Sequence, residues 1–207
     1  MEARQRLITA LRQNLSLKAF GPGSAVDHSL RADYDRLELV PAPEVEAALT
    51  RVRELYAQAP ELKDDPHTLW DEALILKAAG KPAAALAIFE RLHGLRPKDL
   101  DVMAELGLLR AWVATREGRP LAGLDLLRTA IAEKPQEPRF RLYFARSLHE
   151  AYECTTKTAV PKPARREVCG AAKREYLRAE ELASGDEIWS RRIKLRAGKE
   201  ARQPGLH

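Results

Sequence analysis

Two stretches of this chain carry matching residue types at identical intervals, which constrains it to fold as a row of similar units. Gly80-Lys81-Pro82, then Ala85, Leu86, Phe89, Leu92 and Pro97 recur as Gly118-Arg119-Pro120, then Gly123, Leu124, Leu127, Ala130 and Pro135. Each run predicts a turn followed by an amphipathic helix. The Gly relaxes the chain, Pro fits the first helical turn where its missing N–H costs nothing, and the closing Pro stops the helix. Ala85 or Gly123 supplies a small contact where neighbouring helices approach closely. Partner helices are predicted ahead of the turns, over 67–79 and about 100–116, so the unit is a helical hairpin.

The pattern extends outward in weaker form. Ala48, Leu49, Val52, Leu55 and Pro60 repeat the second-helix spacing and predict a leading half-repeat over 44–58. Downstream, Phe144-Ala145 and Leu148 predict a first helix over 138–153, and Ala172, Tyr176 and Ala179 a second over about 164–183, with Ser184 in the place of the closing Pro. Composition agrees with an all-α chain: 45% of residues are hydrophobic, enough for a core, only 6% are aromatic, and helix-favouring Ala, Leu, Arg and Glu dominate.

The spacing resembles that of the tetratricopeptide repeat family, with Gly80, Ala85, Phe89 and Pro97 carrying the likeness best. The resemblance covers about residues 44–184. It implies a right-handed superhelical stack of antiparallel helix hairpins, a solenoid of about three repeats plus flanking helices. Residues 1–43 are then an N-terminal helix and linker, and 185–207 a capping helix and tail. There are departures from the family. The interval from Gly107 to Gly118 exceeds that from Ala73 to Gly80 by one helical turn, so the first helix of the middle repeat should protrude. A long insertion, Cys154 to Cys169, stands where the family has a short turn.

Those two cysteines are the only ones. A Cys154–Cys169 disulfide would close a loop of about 15 residues, contribute on the order of 3 kcal/mol, and place the chain in a periplasm or another oxidising compartment. The competing reading is two small buried thiols in a cytoplasmic helix pair. Position favours the bridge. The lack of a secretory signal in residues 1–20 favours the thiols, and cytoplasmic residence is the default. No apolar run is long enough to span a bilayer, so the chain as given is expected to be soluble.

No chemistry announces itself. His28, His67, His93, His149 and His207 are scattered singly, the glycines fall at turns, and Asp64-Asp65 and Glu180-Glu181 suit helix ends or solvent. We therefore expect no enzyme, no cofactor, no metal and no small-molecule substrate. In stacked hairpins the first helices line a concave surface, and by the resemblance the partner-binding groove comprises His67, Trp70, Leu74 and Lys77, then Glu105, Leu108 and Trp112, then Arg139, Tyr143, Arg146 and His149. Trp70 and Trp112 serve equally well as core. Arg139 and Arg146, seven apart on one helix face, are expected to be exposed. The family's carboxylate clamp is not matched, since Trp70 and Leu74 replace polar groups.

The expected function is that of an adaptor, assembly factor or chaperone holding a helical or extended segment of a partner protein. Two alternatives remain. Residues 139–207 hold 16 basic and 9 acidic residues, an excess suited to nucleic acid or an anionic surface, although mixed charge more often makes a solvated face. The chain is otherwise the soluble repeat domain of a larger envelope protein. At the N-terminus, Leu7, Ile8, Leu11 and Leu15 with Arg4, Arg6, Arg12 and Lys18 form an amphipathic pattern. Folding back over the repeats is favoured there over membrane contact. Ile188, Trp189 and Ile193 read as a helix that caps the last hairpin.

Overall fold

The computed structural model describes residues 42–78, 81–119, 121–156, 162–186, 190 and 193. Among them the chain is all-helical, with seven α-helices and no strand. Gly80, Pro120, the stretch 4–20, and Ile188 and Trp189 lie outside the described residues, as do the side chains of Ala48 and Leu55. The chain divides between Leu95 and Arg96 into two compact units, a break inside the span expected to form one repeat domain.

The first unit contains α1 (Ala42–Gln58), a 3-10 turn (Pro60–Asp64), α2 (Pro66–Ala78) and α3 (Pro82–Leu95). The start of α2 is specified locally. The Asp65 carboxylate accepts hydrogen bonds from the Thr68 backbone N–H and hydroxyl, both at 2.8 Å, while Pro66 takes the first helical position. As predicted, α3 opens on Pro82 and ends ahead of Pro97, and it buries Ala85, Phe89 and Leu92 on one face. Trp70 of α2 meets Phe89 edge to face, with ring centroids 5.2 Å apart. α1 packs on α2 and buries Leu49 and Val52. The 3-10 turn, which no repeat spacing indicated, buries Leu62 beneath the connection.

The second unit contains α4 (Leu100–Arg116), α5 (Asp125–Glu133), α6 (Pro138–Thr156) and α7 (Lys162–Leu182). Asp99 caps α4 by accepting from the N–H groups of Asp101 and Val102. At 17 residues against 13 for α2, α4 carries the extra turn that the sequence intervals required. Every residue from Val102 to Leu109 is buried, so α4 is covered around its whole circumference over two turns.

Two expectations are corrected here. The second helix of the middle hairpin does not open at the turn Pro; it begins at Asp125 and has only 9 residues. Gly118, Leu121 and Gly123 all adopt positive φ, and three left-handed residues in so short a span cannot continue a helix. The long insertion between Cys154 and Cys169 is also largely absent, because α6 runs on to Thr156 and α7 starts at Lys162.

Glycine closes the α4–α5 hairpin. A Cβ on Gly123 would stand 2.7 Å from Arg110 Cβ and 3.0 Å from Ala111 N, and one on Gly107 would stand 2.8 Å from Leu127 Cγ. The hairpin packs Leu124, Leu127 and Ala130 with Ala104, Leu108 and Ala111, and with Phe140 and Tyr143 of α6. A second cluster joins Leu142 and Ala145 of α6 to Tyr176 and Ala179 of α7 and to Ala183 just past its end, and Ile193 of the expected capping segment enters it.

Candidate functional site

The expected groove residues divide by exposure. In the first unit His67 is exposed, Trp70 is half-buried against Phe89, and Leu74 and Lys77 are buried. In the second unit Glu105, Leu108, Tyr143 and His149 are buried and Trp112 is half-buried. Arg139 and Arg146, expected to be exposed, are only 6% and 4% accessible, which corrects that expectation.

The physical reason lies in how α4 and α6 meet. Arg139 forms an ion pair with Asp101, and the Tyr143 hydroxyl donates to Glu105 Oε1 at 2.6 Å. Both pairs join residues 38 apart, the interval that separates the two Gly-to-Pro runs. Equivalent positions of successive first helices are thus laid side by side, with an acid on α4 facing a donor on α6. Burial opposes the charge on Arg139, yet Tyr143, Asp101, Glu105 and Glu137 together raise its pKa above the usual value, so the guanidinium stays charged. It also lies over the Phe140 ring, 5.3 Å from the centroid.

The register shifts at the extra turn. The same interval back from Arg146 falls on Leu108, but its guanidinium covers the Trp112 ring at 5.4 Å, one turn further along α4. Arg116 approaches the same ring at 5.8 Å, so the indole has two cationic neighbours. Its N–H has no hydrogen-bond partner. His67, Trp70, Lys77, Glu105, Tyr143, Arg146 and His149 make further contacts and none of them is free.

Other candidate chemistry stays dispersed. Cys169 is half-buried, and burial pushes its thiol pKa up against the opposing influence of Lys173, which disfavours the thiolate. The Cys154 side chain, and with it the bridge, lies outside the described residues. Among the described residues no group of three or more His, Cys, Asp or Glu is placed to hold a metal ion. No described helix is long and apolar enough to cross a membrane.

The buried polar pairs were not foreseen. The one available signal was the 38-residue interval itself, which places Asp101 opposite Arg139 and Glu105 opposite Tyr143 once first helices are assumed to pack in register. Neither a scan of protein-family models nor a search of curated proteins finds a match to this chain.

Proposed function

We propose that this chain is a non-enzymatic, tetratricopeptide-like scaffold that binds a segment of another protein at the end of its first helices, beyond the stretch of α4 that is buried on all sides. One observation carries the reading. In the second unit α4 and α6 are fixed side by side by the buried Tyr143–Glu105 hydrogen bond and the part-buried Arg139–Asp101 ion pair, and this wall ends in Trp112, a half-buried aromatic with two guanidinium neighbours. A wall held rigid before binding loses little entropy on association, and a Trp with flanking Arg is the residue combination that most often anchors an interface. Arg139 with Asp101 and Tyr143 with Glu105 are paired across α4 and α6, which suits a framework for binding.

Because Arg139 and Arg146 are structural, changing them to Glu should unfold the second unit and tell nothing about recognition. Trp112→Ala is the informative variant. In quantitative capture by the full chain from source-cell extract, we expect a specific protein whose recovery falls at least about tenfold with Trp112→Ala and is restored by Trp112→Phe. Capture that is blind to Trp112→Ala, while the variant keeps its helix content, overturns the reading.

A further inference from the structure

The second unit carries another surface that the first-helix wall does not use. On α7 the residues Arg166, Gly170, Lys173, Arg174 and Leu177 follow the spacing of a single helix face, and this face points away from the buried stripe Ala172, Tyr176, Ala179 and Ala183. Arg166, Lys173 and Arg174 are exposed, and none has a carboxylate partner among the described residues. Elsewhere on α7, Arg178 pairs with Glu181 at 2.5 Å and Glu175 with Arg141 of α6 at 2.9 Å, so two of the acids of this helix are engaged by other cations, while exposed Glu167 borders the face.

Two further features of the face distinguish it from an ordinary solvated one. Leu177 is 57% accessible, the most exposed large hydrophobic side chain recorded in the described structure. Gly170 sits near the centre of a 21-residue helix, where a glycine weakens the helix and no turn requires it. A Cβ there would meet only Arg174 Nη1, at 3.5 Å, so the space above the backbone is open.

Three unpaired cations, a bare stretch of backbone and a projecting leucine lie along roughly 16 Å of helix. We propose that this face docks an acidic amphipathic helix of a partner protein. The partner's backbone approaches over Gly170, its apolar stripe covers Leu177, and its carboxylates meet Arg166, Lys173 and Arg174. A polyphosphate occupant fits less well. Neither the exposed Leu177 nor the open backbone at Gly170 offers a phosphate anything, whereas an amphipathic helix uses both.

The test uses the full chain and a labelled synthetic peptide of about five helical turns, with Leu on one face and Glu flanking it. A scrambled peptide of the same composition, a DNA duplex, and phosphatidylserine–phosphatidylcholine vesicles serve as comparisons. The amphipathic peptide should bind in preference to all three, and more weakly as salt rises. Lys173→Glu or Arg174→Glu should each weaken binding about tenfold, and Leu177→Ser comparably. Gly170→Gln is the decisive variant. It favours the helix, so the thermal midpoint should hold or rise, while binding should fall at least about fivefold because the close approach is blocked. The proposal is overturned by equal binding of the scrambled peptide, by binding indifferent to Gly170→Gln and Leu177→Ser, by preference for DNA or vesicles, or by no binding at all. Trp112→Ala should leave this interaction unchanged, which separates it from the first-helix wall.

Discussion

The Tyr56 hydroxyl of α1 donates to Glu72 Oε2 of α2 at 2.5 Å, tying the two helices at a half-buried position. Burial, then the hydrogen bond to Glu72 and its negative charge, raise the Tyr56 pKa well above the ordinary tyrosine value of 10.0. The sign of the consequence follows from proton linkage. Above about pH 10 the unfolded chain releases this proton and the folded chain keeps it. The contribution is therefore complete below pH 10 and is lost as pH climbs toward the folded-state value. We expect the denaturation midpoint of the wild type to fall more steeply with pH above 10 than that of Tyr56→Phe, measured in urea titrations from pH 8 to 11. Parallel slopes for the two proteins would show that this hydroxyl is not linked to folding.

Between elements, the closest approaches are set by glycine. Gly123 combines positive φ with backbone atoms of α4 where a Cβ would stand, Gly118 has positive φ but open space, and Gly94 lies in α3 with open space and ordinary φ. Substitution by Ala should separate these effects. Gly123→Ala should cost about 3 kcal/mol or more, Gly118→Ala about 1 to 2 kcal/mol, and Gly94→Ala should stabilise by up to about 1 kcal/mol, read from denaturant unfolding. If Gly123→Ala costs no more than Gly118→Ala, the hairpin relaxes and the contact is not a constraint. The small-residue role of Gly123 was legible from its match to Ala85, as were the buried faces Ala85–Phe89–Leu92 and Ala172–Tyr176–Ala179 and the extra turn of α4, because apolar spacing records which side of a helix is covered. The shortened α5 was not legible, since the positive φ of Leu121 has no residue signature. Nor was the burial of Arg139 and Arg146, because a charge is accommodated inside only by partners on another helix, and periodicity along one helix is silent about them.

At the scale of the whole molecule, the helices described within each compact unit pack on elements adjacent in sequence or one hairpin apart, as in α4 with α6. Chains built this way distribute stability among neighbouring elements, so local damage need not spread along the entire chain. The Tyr143–Glu105 bond offers a controlled way to test that. Tyr143→Phe keeps the ring within its cluster but removes a buried donor from a buried carboxylate, at a cost of about 1 to 3 kcal/mol. Native-state hydrogen exchange should then show faster exchange throughout α4, α5, α6 and α7. The amides of α1, α2 and α3 belong to the other compact unit and should keep wild-type rates. A uniform loss of protection from Ala42 to Leu182 would mean that the chain opens as one cooperative block, and the division at Leu95 would then be geometric without being energetic. Helix-resolved exchange is the appropriate measurement, because a single melting curve would average the two behaviours.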